Sequence, residues 1–333
     1  MKISVIGCGL IGSRRAKFLG EHQLVCAVDV DLERAQQVAA LAPDVRVSQD
    51  WRDAAQDKES DLVIVATTPD IMAEVSLAAL NSYKHVLVEK PAARHYKELA
   101  PVLAAAKTAG RQVHVGFNHR YHPALRKARE IVDSGAIGEL MYIRARYGHG
   151  GRLGYEQEWR ADPEVSGGGE LIDQGLHLID LSRWFLGDFT EVTGHAGTYF
   201  WDMPVDDNAF ALLRTKTNQV AWLHASWSEW KNLFSFEIFA RTAKLQIDGL
   251  GGSYGVETLT YYQMKPEMGP PEVEKFEFPW EDQSWQIEFD QFISDIESGR
   301  KDSANLEDAL AALKIADKIY GCGAKSAVSG IFR

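Results

Sequence analysis

The chain has 333 residues, with 36 Lys and Arg against 47 Asp and Glu, giving a net charge of −11. That excess of acid disfavours nucleic acid as a partner, because phosphate binding needs an excess of cationic side chains on some face. No run approaches the ~18 consecutive apolar residues of a membrane span. Length sets a prior of two domains at roughly 150 residues each, and Cys8, Cys26 and Cys322 are too scattered for a disulfide framework or a metal knuckle. A cytoplasmic setting is expected. Met1–Gly7 is expected to be a strand and not a secretory signal, since glycines interrupt the run and Arg14-Arg15 follow it.

In chain order, Ile3 to Ile6 reads as a first buried strand, followed by a glycine turn and helix-like Arg14 to Leu19. Apolar runs at 24–28, 45–47, 61–66, 85–88 and 112–116 then alternate with helical stretches at 32–41, 73–82 and 96–110. Near-continuous apolar strands between helices predict a doubly wound parallel sheet covered on both faces. Beyond about residue 120 the texture changes. Helices are expected at 123–134, 170–185, 285–298 and 306–320, with alternating, aromatic-rich strands at 140–147, 191–201, 209–215, 220–227, 235–240, 243–248 and 257–262. Alternation predicts a mainly antiparallel sheet with one face on a core. The reading is therefore α/β followed by α+β: a dinucleotide-binding domain over 1–120 and a substrate-binding and oligomerisation domain over 121–333.

Three patterns carry chemistry. Gly7-Cys8-Gly9-Leu10-Ile11-Gly12 fits G-x-G-x-x-G between a strand and a helix, and Asp29 closes the second strand seventeen residues later. The glycines permit a tight turn and close backbone approach to a pyrophosphate, and the helix start supplies unpaired N–H groups. A carboxylate at Asp29 favours a ribose 2′-hydroxyl over a 2′-phosphate, so NAD is preferred to NADP, although Arg34 or Arg14 lies close enough in sequence to reach a phosphate. Thr67-Thr68-Pro69 follows the fourth strand, where ligands bind in such sheets, and reads equally as an ordinary proline turn.

The second pattern is Glu89-Lys90-Pro91, at a strand end that faces the ligand crevice; the alternative is a solvated surface lysine. The third is the helix after Gly167-Gly168-Gly169, in which Asp173, His177 and Asp180 share one face among leucines and isoleucines. A carboxylate one turn from an imidazole suits acid/base work, and equally suits a structural pair. The three glycines favour the first reading, because they are expected to leave room for a ligand at the helix start.

Together and in this order these segments, with Gly116-Phe117-Asn118-His119-Arg120, resemble the Gfo/Idh/MocA family of nicotinamide-dependent oxidoreductases over essentially the whole chain. The resemblance implies an N-terminal Rossmann domain, then an open-faced sheet that often serves oligomer contacts, with the last helices returning towards the first domain. It implies that Lys90, Asp173 and His177 are catalytic. It places the cofactor against Gly7, Gly9, Leu10, Ile11, Gly12, Asp29, Arg34, Thr67, Thr68, Pro69, Glu89, Lys90 and Asn118. Family members often carry a His shortly after the Thr-Pro, where this chain has Asp70-Ile71-Met72-Ala73, so that contact to the cofactor is not expected here.

Glu158-Trp159-Arg160-Ala161-Asp162-Pro163 resembles members acting on sugars or nucleotide-sugars. The substrate is accordingly expected to be a sugar, polyol or nucleotide-sugar held by Lys90, Asn118, Arg120, Tyr121, Trp159, Arg160, Asp173 and His177. Asn118–Tyr121 reads equally as a polar loop, and Arg160 as a surface arginine. His177 is expected to take the hydroxyl proton and Lys90 to stabilise developing alkoxide charge. No metal site is expected, and a homodimer or homotetramer is. The competing functions are a glycoside hydrolase that uses NAD transiently, and a non-catalytic NAD-binding regulator.

Overall fold

The computed structural model describes residues 1–323, of which Cys322 and Gly323 are described by backbone alone. Two compact units divide the chain: one comprises 1–118, 164–167 and 285–310, the other 119–163, 168–284 and the chain from 311.

The first unit is built on a parallel six-stranded sheet in the order β3-β2-β1-β4-β5-β6. Its strands are β1 (Lys2–Ile6), β2 (Gln23–Val28), β3 (Arg46–Ser48), β4 (Leu62–Val65), β5 (His85–Val88) and β6 (Val113–Val115). The central strands are buried along their whole length, which is why they read as unbroken apolar runs. The connecting helices are α1 (Leu10–Lys17), α2 (Leu32–Ala39), α3 (Arg52–Ala55), α4 (Pro69–Asn81) and α5 (Leu99–Ala109). α1 starts four residues before the expected Arg14, because the turn residues Leu10–Ser13 are already helical. α4 likewise starts at Pro69, whose fixed φ and missing N–H suit a first helical position. α7 (Pro163–Ser166) and α9 (Ser284–Ser298) come from later in the chain. Phe289, Phe292 and Ile293 of α9 join Ile3, Val5, Leu62, Ile64 and Leu87 in one core.

The second unit holds an eight-stranded sheet in the order β14-β13-β12-β11-β7-β10-β9-β8. Its strands are β7 (Leu140–Gly148), β8 (Phe189–Gly197), β9 (Asn208–Thr215), β10 (Val220–Ser226), β11 (Leu233–Ala240), β12 (Ala243–Asp248), β13 (Glu257–Gln263) and β14 (Glu272–Phe278). All neighbours pair antiparallel except β7 with β10. One face is apolar (Ile143, Ala145, Leu213, Leu223, Phe236, Ile238, Leu245, Ile247) and buried. α6 (Pro123–Asp133) contacts β12, β13 and β14, and α8 (Leu176–Leu186) contacts β7 and β10. α10 (Leu306–Gly323) closes the described chain.

Three expectations need correction here. β14 escapes pattern reading because it is a charged, largely exposed edge strand, Glu-Val-Glu-Lys-Phe-Glu-Phe. β8 stops at Gly197 and not Trp201, because the main-chain N–H groups of Tyr199, Phe200 and Trp201 turn onto the Asp207 carboxylate at 2.7–2.8 Å. The helix expected over 170–185 opens with a π-helical turn, Leu171–Gly175, before α8.

Candidate functional site

In the first unit, β1 delivers the glycine turn to α1. Gly7 has φ +88°, and a Cβ there would strike Ala66; a Cβ at Gly12 would strike the Gly7 carbonyl. These two glycines are required by the fold itself. Gly9 is different: a Cβ there would meet nothing within 4 Å. Gly9 is the N-cap of α1 and makes no side-chain cap, the first turn carries no acid, and Leu10 is 77% exposed. The helix start is therefore an open set of N–H donors with a partial positive charge, which fits a pyrophosphate.

Asp29 is buried, and its carboxylate accepts the Cys8 N–H at 2.6 Å and the Asp31 N–H at 2.9 Å. Those two bonds hold it beside the turn, with lone pairs left to accept a ribose hydroxyl. Arg34 is exposed and pairs with Asp31 at 3.3 Å. Burial, then the Asp29 charge, pushes the Cys8 thiol up to about 12. Thr68 is the N-cap of α4, and the Thr67 hydroxyl donates to the Thr68 carbonyl at 3.3 Å.

Lys90 follows β5 and is half-buried, and the Lys90–Pro91 bond is cis. Glu89, expected against the cofactor, is buried with its carboxylate on Arg15, and burial pushes that carboxyl up despite the arginine. Asn118 is buried after β6.

In the second unit, the π-turn carries Asp173 and α8 carries His177. His177 is buried and stacks on His119, ring centroids 3.7 Å apart and planes 14° from parallel. Asp173 sits in the π-turn with its carboxylate 3.3 Å from Arg160 Nε, and Arg160 in turn lies over the Trp159 ring at 4.5 Å. π-turns inside helices recur at functional sites. The Asp173 charge is felt by Tyr147, His149, Tyr155 and Tyr254. Burial holds the His149 ring below its ordinary value and pushes the Tyr254 phenol up to about 12. Tyr254 also accepts from Gln174 at 2.8 Å. Asp173 thus lies among hydroxyl and imidazole groups, with the Glu170 carboxylate and the Arg160 guanidinium acting in the same cluster, a setting suited to a polyhydroxylated ligand.

Asp180, on the same helix face, does something else. Its carboxylate takes Nε of Arg120 at 2.8 Å and pairs with Nη2 as well, a buried fork. Tyr121 is also buried.

The triple glycine is not left free for a ligand. A Cβ on Gly167 would strike Arg94, one on Gly168 would strike Tyr320, and one on Gly169 would strike Asp206. Asp206 caps the π-turn, accepting the Gly169 and Leu171 N–H groups at 2.9 and 2.8 Å and the Tyr320 hydroxyl at 2.8 Å. Pattern reading missed Asp206 and Asp207; the tandem acid just before β9 was the only trace.

Among the described residues no group of three or more His, Cys, Asp or Glu is arranged to hold a metal ion. No described helix is long and apolar enough to cross a membrane.

Residues 1–117 match the family model described as oxidoreductase family, NAD-binding Rossmann fold, and residues 125–246 match the GFO/IDH/MocA C-terminal domain. The chain belongs to the GFO/IDH/MocA family.

Within that family it is similar to levoglucosan dehydrogenase of Pseudarthrobacter phenanthrenivorans, 30% identical over 50% of this chain and 44% of that one. It is similar to inositol 2-dehydrogenase 2 of Saccharopolyspora erythraea, 31% identical over 59% and 57%. The matched region therefore spans about half the length of these curated relatives. Among solved structures, levoglucosan dehydrogenase in complex with NADH shares the fold at TM-score 0.87 and 22% identity, covering 98% of this chain and 97% of that one. Aldose-aldose oxidoreductase from Caulobacter crescentus, complexed with glycerol, shares it at 0.84 and 21%, covering 98% of both.

Proposed function

We propose that this GFO/IDH/MocA protein is an NAD-dependent dehydrogenase acting on a secondary hydroxyl of a sugar or polyol. The observation that carries the reading is the open, uncapped start of α1 at Gly9 with Asp29 bonded beside it. Of the three glycines of the turn, Gly9 alone has an open approach, and a pyrophosphate would use it to reach the helix N–H groups. The similarity to a levoglucosan dehydrogenase and an inositol 2-dehydrogenase supports the substrate class.

When bound, NAD supplies the hydride acceptor. The Gly9–Gly12 amides hold the pyrophosphate, and Asp29 takes a ribose hydroxyl, which favours NAD over NADP. Thr67, Thr68, Pro69 and Asn118 complete the cofactor's surroundings. His177, buried against His119, accepts the substrate hydroxyl proton and returns it in the reverse direction. Lys90, at the end of β5, would stabilise developing charge on a substrate oxygen. Asp173, paired with Arg160, accepts from a neighbouring hydroxyl, while Trp159 offers an aromatic face to the sugar ring. Arg120 enters this reading as a support of α8 through Asp180, with Tyr121 beside it in sequence.

The first unit then acts as the cofactor domain and the second as the substrate domain. We also propose a cytoplasmic enzyme, supported by Cys8 and Cys26 being buried free thiols. Self-association as a dimer or tetramer is supported by the outer face of the eight-stranded sheet, where Tyr142, Phe210, Leu212 and Trp222 are exposed.

The test is Lys90→Ala. Turnover with a sugar or polyol should fall about a hundredfold or more, while the dissociation constant for NAD stays within about threefold. Equal loss of both would remove Lys90 from the chemistry.

A further inference from the structure

Inside the first unit lies a charged cluster that the mechanism does not use. Arg15 of α1 is 1% exposed. Its Nε donates to Glu89 Oε1 at 2.7 Å and its Nη2 lies 2.6 Å from the same oxygen. Its Nη1 pairs with Glu288 of α9, and the Trp285 ring covers the guanidinium at 4.4 Å. The other Glu288 oxygen is 2.9 Å from His114 Nε2 on β6. Four charged or titratable groups are thus buried together in the first unit.

Stability alone gives a poor account of this arrangement. Desolvating two carboxylates and a guanidinium costs several kcal/mol per ion, and apolar replacements of similar volume are often neutral or better. What such a cluster does supply is direction. Glu89 is the residue immediately before Lys90, and it is held at three points. Its N–H donates to the Val65 carbonyl at 2.8 Å, its carbonyl accepts the Ala92 N–H at 2.9 Å, and its carboxylate accepts from Arg15 Nε at 2.7 Å.

The arginine also belongs to the helix that opens at Gly9. One guanidinium therefore ties the cradle's helix to the strand end carrying Lys90. Gly116 leaves the space for this pair, since a Cβ there would sit 2.7 Å from Glu89 Oε2 and 2.9 Å from Arg15 Nη2.

We infer that Glu89 and Arg15 are positioning residues for Lys90: the buried ion pair fixes the main chain at β5's end so that the Lys90 ammonium meets the substrate oxygen. The inference rests on the proposed role of Lys90.

A double-mutant cycle on the full chain tests it. Glu89→Ala should lower kcat about tenfold or more, with KM for the sugar and the NAD dissociation constant each within about threefold. In a Lys90→Ala background the same change should lower kcat by less than about twofold, because a group acting through Lys90 has nothing left to act on. The same tenfold loss in both backgrounds would overturn the inference and leave Glu89 a structural residue.

If Lys90→Ala alone leaves kcat unchanged, it is the role of Lys90 that fails, and the cycle reports this separately. Should Glu89→Ala not fold, Gly116→Ala and Arg15→Lys perturb the pair by a single methyl and by loss of the guanidinium Nε–H bond. Each should reproduce the fall in kcat, and unchanged kcat in both would equally refute it.

Discussion

His177 and Asp173 lie four residues apart, but the π-turn gives them different neighbours: an imidazole face for one, a guanidinium for the other. Their shared helix face is legible from sequence; these contacts are not, because His119 and Arg160 arrive from other segments. His177→Asn should abolish proton transfer and lower turnover about a hundredfold with NAD binding intact, read by steady-state rates and fluorescence titration. Retained turnover would place the base elsewhere. Cys8, with its thiol pushed up to about 12 by burial and Asp29, should resist maleimide at neutral pH in the native protein and react on unfolding. Rapid native labelling at Cys8 would contradict the tight packing of the turn.

At the scale of the element, the glycine turn separates fold from function within six residues. Gly12→Ala drives a methyl into the Gly7 carbonyl and should destabilise by several kcal/mol, seen as a lowered urea midpoint. Gly9→Ala meets no protein atom, so the midpoint should hold while NAD affinity drops about tenfold. Equal effects on stability would mean that Gly9 is also structural. The motif is readable because its spacing is local. The triple glycine misleads for the opposite reason: whether a glycine clears a path for ligand or for protein depends on Arg94, Tyr320 and Asp206, none of which is near in sequence.

For the whole molecule, the alternation of buried strands and helices makes the first sheet legible, since both faces must be apolar. The second sheet is legible wherever one face is buried, and is lost at β14, whose charges follow its place at the edge. Nor does periodicity reveal that α9 closes the first unit's core.

Stability should depend on pH through His85. Burial, reinforced by Arg111, lowers its pKa from 6.5 to about 4, so the unfolded chain binds the extra proton between those values. Stability should therefore fall as pH drops from 6.5 to about 4, by on the order of 1–3 kcal/mol, and level off below. Urea titrations of the wild type and His85→Gln, in which the variant loses this slope, check it; parallel slopes would contradict it.

Trp222→Glu on the outer sheet face should shift light-scattering mass from oligomer to monomer, and an unchanged mass would move the subunit contact elsewhere. The most direct measurement of all is NADH formation when the purified protein is given NAD and a panel of free sugars and inositols. Net NADH accumulating with an equal amount of oxidised sugar is the predicted result. Sugar turnover without net NADH, or no turnover with any member of the panel, would contradict it.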